Sequence, residues 1–247
     1  MQKIIFALII LTALLILFGP EVVPDDFQLS KISDSVKNSD VIIIFNSGGW
    51  GNTPLEKAED FMPIITGIQS TLNDWGYKSV VIPYTRTRTD FLGKIAAIRE
   101  FFNRFEYSSN NLAEKIETIG KSFPDKKIII AGLSSGGTVV TRTYEKISGD
   151  MNDSVVAIAA GTPFWTEKSE SDNILQLDNN GKDTLVAGDA ELLFFSLFET
   201  PFKWLKAKIT GKNLSFWKSF HALGHDYYWQ SSEVSPRIIT FLNAKIR

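Results

Sequence analysis

The sequence predicts a doubly wound, mostly parallel α/β sheet preceded by a separate apolar N-terminal helix. Three observations carry that reading. Short β-branched apolar runs recur along the chain with helix-length stretches between them. The runs are continuous, as in strands buried on both faces, and do not alternate with polar residues. The length of 247 residues is enough to bury one such core without division.

The N-terminal segment, residues 1–20, stands apart. Lys3 precedes the run IIFALIILTALLILFG at 4–19, which is apolar except at Thr12 and Gly19. A helix of that length spans about 24 Å, short of the roughly 30 Å hydrocarbon core of a bilayer. This fits a short signal anchor or the core of a signal peptide. No A-x-A site follows, and Pro20 stands directly behind Gly19, so an uncleaved anchor is favoured over a cleaved, secreted form. Lys3 before the run, with Glu21, Asp25 and Asp26 after it, keeps the N-terminus cytoplasmic and exports the rest. Residues 21–39 read as a tether with little structure.

The main domain, 40–247, opens with the strand 41–45 (VIIIF), which runs into Asn46-Ser47-Gly48-Gly49-Trp50-Gly51. Thr53-Pro54-Leu55-Glu56 combines a capping box with a proline at the first helical position. It predicts a helix from there to about Trp75, ended by Gly76. Residues 78–83 (KSVVIP) form the next strand and lead into the polar run TRTRTD at 85–90. A long helical region, broken near Ser108 to Asn111, reaches Phe123. Strands follow at 127–131 (KIIIA), 154–160 (SVVAIAA) and 173–177, and a proline-started helix at 235–246 closes the chain.

Composition narrows the chemistry. A net charge of −2 and a pI of about 5.8 provide no basic surface for nucleic acid. Without cysteine there are no disulfides, thiol nucleophiles or thiolate metal ligands. The two histidines, His221 and His225, are the only source of imidazole. Against that background one segment stands out, Gly132-Leu133-Ser134-Ser135-Gly136-Gly137, set between the strand KIIIA and the helical stretch TVVTRTYEKI. It matches G-x-S-x-G, a tight strand-to-helix turn that lifts a serine hydroxyl above the sheet. The glycines are needed because a Cβ at either flank would collide with strand or helix. From the chain's own Gly and Ser content such a pentapeptide should arise by chance about 0.1 times, and fewer once strand and helix context is required. An ordinary βα turn and an anion-binding helix start are the competing readings, but neither G-x-G-x-x-G nor Gly-Lys-Ser/Thr is present.

On these residues the chain from Val41 onward resembles the α/β-hydrolase family, particularly its lipases and esterases. The resemblance implies a nucleophile, acid and histidine in that chain order, with Ser134 first. It implies an oxyanion hole from the amide of Ser135 and one amide of the first glycine-rich loop, Gly48 or Gly49. That loop lacks the histidine of the family's HGGG form. Gly181-Lys182-Asp183-Thr184-Leu185-Val186 resembles the family's acid loop and favours Asp183, with Asp178 and Asp189 as alternatives. Gly224-His225-Asp226-Tyr227 resembles its histidine loop and favours His225, with His221 as the alternative. The implied activity is hydrolysis of a carboxylic ester or lipid through an acyl-enzyme at Ser134, with no metal or organic cofactor. A rival of another class is a non-catalytic, membrane-tethered binding module on the same fold. Two further features are open. The aromatic stretch 191–204, with Trp217 and Phe220, reads as a buried amphipathic helix or a greasy entrance. Arg86 and Arg88 read as a solvated loop or a clamp for an anionic head group.

Overall fold

The computed structural model describes residues 29–188, 206, 209–210 and 224–247. The apolar run at 4–19, Asp189, the aromatic stretch 191–204, Trp217, Phe220 and His221 lie outside them. Among the described residues, no helix is long and apolar enough to cross a membrane.

Five parallel strands form one sheet: β1 (Val41–Asn46), β2 (Ser79–Tyr84), β3 (Lys127–Leu133), β4 (Val155–Ala160) and β5 (Ile174–Leu177), in spatial order β2-β1-β3-β4-β5. Every residue of β1 and β4 is buried, as their unbroken apolar runs require. Ile42 and Ile44 face one layer, in which α1 (Leu29–Lys37), α4 (Glu106–Ser122) and α5 (Ser135–Tyr144) pack. Val41, Ile43 and Phe45 face the other, made by α2 (Met62–Asp74) and α7 (Ser235–Lys245). Alternate residues of each strand therefore serve opposite cores. Helix α3 (Phe91–Phe102) and the short α6 (Thr184–Ala187) complete the described elements of the main domain.

The chain leaves β1 toward β2 on one side, then crosses to β3 on the other. That reversal opens a crevice beyond the carboxyl ends of β1 and β3, where ligands of open α/β sheets bind. Both glycine-rich segments of the sequence end at this crevice.

Three boundaries differ from the sequence expectation. The stretch read as a tether holds α1, whose Val36 is fully buried against the sheet. The capping box at Thr53 does not start a long helix: Leu55–Lys57 is a single 3-10 turn, and α2 begins at Met62. Pro63 explains this, since it sits in the first turn of α2, where its missing N–H costs nothing, but would break a helix running through it. The helical break falls at Asn103–Phe105 and not at Ser108 to Asn111. Arg104 and Phe105 take left-handed conformations there, and the Glu100 carboxylate accepts from the Ser108 amide (3.1 Å). A side chain from the preceding helix thus satisfies a donor in the first turn of α4, and Ser108 and Ser109 are buried inside it.

Candidate active site

Ser134 is the single residue between β3 and α5. It adopts φ 56° and ψ −120°, a region that residues with a side chain rarely occupy. The flanking glycines make the turn possible: a Cβ on Gly132 would lie 2.4 Å from the Gly136 carbonyl oxygen, and one on Gly136 the same distance from that of Asn46. The Ser134 amide donates to the Ala160 carbonyl at the end of β4 (2.8 Å), and the Thr138 amide returns to the Ser134 carbonyl (3.1 Å). Strand and helix therefore hold the residue from both sides.

Across β4, Asp183 and His225 come together. The Asp183 side chain is fully buried, with Oδ2 2.8 Å from His225 Nδ1. Its other oxygen accepts from the amides of Leu185 (2.9 Å) and Val186 (3.3 Å) and so caps α6. The Tyr227 hydroxyl donates to Asp183 Oδ2 (2.7 Å), and the Tyr227 ring meets that of His225 edge-on. Burial alone would raise the carboxyl's pKa. The bonds and charge of His225, the Tyr227 hydroxyl and the Val186 amide outweigh it and hold the group below the usual carboxylate range. Burial, then the adjacent Asp183 carboxylate, pushes the Tyr227 phenol well up, so it remains a donor. An ionised Asp183 can only accept, so His225 Nδ1 is the donor in this pair, and in the neutral imidazole Nε2 keeps the lone pair.

The loops that carry this pair are laced together. Asn179 Nδ2 donates to the Gly224 carbonyl (2.8 Å). Gly224, at φ 78°, runs so close to the acid loop that a Cβ would fall 2.1 Å from the Lys182 carbonyl oxygen. The imidazole lies over Gly161: a Cβ there would be 2.5 Å from His225 Cε1. Gly161 follows Ala160, the acceptor of the Ser134 amide, so serine and imidazole flank the same end of β4. Asp178 is engaged elsewhere, 3.6 Å from Arg237.

The loop after β1 closes over the other flank of Ser134. A Cβ on Gly48 would be 3.6 Å from Ser134 Cβ. The Gly48 carbonyl accepts from the Gly51 amide (3.1 Å) and closes a turn. Ser135 opens α5, so its amide has no acceptor within the helix. Beneath this loop is Arg86, which sequence reasoning placed in a solvated loop or an anion clamp. It is 2% exposed, with its guanidinium 5.1 Å from the centre of the Phe105 ring. Its Nη2 donates to the Ser47 carbonyl (2.8 Å) and the Ser135 hydroxyl (3.0 Å), with the Gly49 carbonyl at 3.5 Å. Burial lowers its pKa to about 10, opposed by the nearby Glu100 carboxylate, and at neutral pH it remains a cation. Arg88 instead pairs with Asp90, the N-cap of α3. Among the described residues, no cluster of three or more His, Asp or Glu groups is arranged for a metal ion.

No protein-family model matches the chain, and no curated protein matches it. Among solved structures, a Trichoderma reesei cutinase in complex with a C11Y4 phosphonate inhibitor is similar over 64% of this chain and 72% of that one, with 16% identity and a TM-score of 0.44. The parallel α/β sheet is therefore established by this chain's own coordinates, and the chemistry has to be argued from its own residues.

Proposed function

We propose that the protein is a serine hydrolase of the α/β-hydrolase type that cleaves a carboxylic ester or lipid through an acyl-enzyme at Ser134, tethered to a membrane by residues 1–20. The observation that carries this reading is a strained serine at the sheet's crevice with a buried carboxylate bonded to an imidazole that lies over Gly161, just past the end of β4. A plain βα turn has no need of the strain, and a phosphate site has no need of the imidazole.

In the mechanism, His225 Nε2 takes the proton of Ser134 Oγ as the oxygen attacks the ester carbonyl. Asp183 stays ionised, fixes the tautomer and stabilises the imidazolium that forms. The carbonyl oxygen, now an anion, is received by the amide of Ser135 and one from the β1 loop, for which Gly48 is better placed than Gly49. The imidazolium then protonates the leaving alkoxide. Water, activated by the same imidazole, releases the acid and restores the serine.

A fluorophosphonate probe tests the reading, since it reacts with an activated serine and forms an adduct at its oxygen. Labelling of the full-length protein should vanish in Ser134→Ala and fall by orders of magnitude, about 10³ or more, in His225→Ala. A wild-type protein that is folded and unlabelled, and inert toward short-chain nitrophenyl esters, would overturn the proposal and favour a binding module.

A further inference from the structure

The buried Arg86 is not used by the mechanism above, and isolating a guanidinium from water is costly unless its donors and charge are met. Three elements meet that need in part, through Nη2 and the guanidinium face, while Nε is buried without a hydrogen-bond partner. The Ser47 and Gly49 carbonyls belong to the loop after β1, the Ser135 hydroxyl to the first residue of α5, and the Phe105 face to the start of α4. The Ser135 hydroxyl in turn donates to the Gly49 carbonyl (3.0 Å), and the Arg86 amide donates to the Gly51 carbonyl (2.8 Å). The loop passes so close over the side chain that a Cβ on Gly51 would lie 2.5 Å from its Nε. One cation thus ties the loop to the helix that begins at the nucleophile.

Peptide geometry gives this tie a direction. In a trans peptide the carbonyl of one residue and the N–H of the next lie in one plane and point in opposite directions. Drawing the Ser47 carbonyl onto Arg86 therefore turns the Gly48 N–H away from the guanidinium. We infer that Arg86 is the positioning residue of the oxyanion hole: by gripping the Ser47 carbonyl and the Ser135 hydroxyl, it aims the Gly48 N–H at the developing oxyanion and keeps it in register with the Ser135 N–H. This rests on the assignment of Ser134 as nucleophile. Arg86 touches no reacting atom, and it acts through the loop. It also accounts for a glycine-rich loop that lacks the family's histidine, because the orientation is imposed from below by a side chain of the loop after β2.

The test uses full-length Arg86→Gln, Arg86→Lys and Ser135→Ala, with melting temperature, ester kinetics and affinity for a phenylboronic acid, whose serine adduct is a tetrahedral anion. Loss of an oriented oxyanion donor should lower kcat about 10²–10³-fold in Arg86→Gln with KM nearly unchanged. Boronate affinity should fall by a comparable factor. Lysine keeps the charge but cannot reach several acceptors as a fork, so Arg86→Lys should recover only part of the loss. Ser135→Ala keeps its backbone amide and buries no uncompensated charge, so it remains informative if the arginine variants do not fold. It should lower kcat about tenfold through the loosened Gly49 carbonyl. Folded variants with kcat within about threefold of wild type, or a loss confined to KM, would overturn the inference. If the wild-type protein hydrolyses no ester and takes no fluorophosphonate, the Ser134 assignment fails first, which separates the two failures.

Discussion

At Ser134 stability and the proposed function pull in opposite directions, and the conflict can be measured. A side chain at φ 56° and ψ −120° stores on the order of 1–3 kcal/mol of backbone strain. Ser134→Gly should relax it and raise unfolding free energy by about 1 kcal/mol over Ser134→Ala, although both variants lack the hydroxyl proposed as the nucleophile. Equal stabilities in urea titrations would mean the turn is unstrained. At Asp183 the two jobs of one carboxylate separate. In Asp183→Asn the amide oxygen can still accept from Leu185 and Val186, so the fold survives, while kcat drops by up to about 10⁴ because the imidazole loses its ionised partner. The pH dependence has a defined sign. Asp183 is held below its ordinary value in the folded state, so its contribution is present above about pH 4 and is lost as pH falls through the lower folded value. Asp183→Asn should therefore lose stability less steeply in acid than wild type, as thermal melts between about pH 5 and 2 would record. Residue by residue, the elbow was legible because its six positions are contiguous and its glycines answer to local sterics. Asp183 and His225 were legible through the resemblance of their loops to known ones, and the 2.8 Å contact between their side chains is consistent with that pairing. Arg86 and Tyr227 were not legible in this way: what they do depends on partners 39 to 49 and 44 to 50 positions distant.

The strands were readable to within a residue or two because the inner ones, β1, β3 and β4, are apolar runs that the sheet buries on both faces. The edge strands β2 and β5 are mostly apolar and only partly buried. Helix starts were harder, since local capping signals compete with tertiary contacts that the sequence does not display. Thr53 and Asp90 show the contrast. Thr53 satisfies the capping-box pattern, yet its amide donates to Ser47 Oγ (3.3 Å) and no helix begins there. Asp90 precedes no such pattern, yet it accepts from the Gly93 amide (2.8 Å) and caps α3. Asp90→Ala should accordingly cost about 1 kcal/mol, the ordinary worth of an N-cap. Thr53→Ala should stay within about 0.5 kcal/mol. Chemical denaturation of the two variants would decide it, and a loss at Thr53 as large as at Asp90 would show that the 53–56 segment caps a helix after all. The misplaced break between α3 and α4 has the same origin. Ser108, Ser109, Asn110 and Asn111 look like a linker, but a carboxylate eight residues upstream satisfies the Ser108 amide and lets the helix absorb them.

Across the whole molecule, the strand order was beyond the reach of periodicity, because an alternation of strands and helices fits several doubly wound arrangements. The coordinates fix β2-β1-β3-β4-β5, and with it the crevice in which Ser134 stands. The relation of that domain to its N-terminal segment is a proposal, and α1 sharpens the way to test it. Val36 is fully buried in the layer shared with α4 and α5, so the folded domain begins before β1. A protein beginning at Pro24 retains α1 and should be soluble, folded and as active toward short esters as the full chain. One beginning at Asp40 leaves the Val36 site on the sheet uncovered and should lose about 1.5–3 kcal/mol or more. The full-length chain should stay in the membrane fraction through high-salt washing, since salt screens charge but does not release an apolar segment such as 4–19 from lipid. Release by salt, or a mature N-terminus found near Pro20, would remove the anchor and leave the proposed site on an untethered chain.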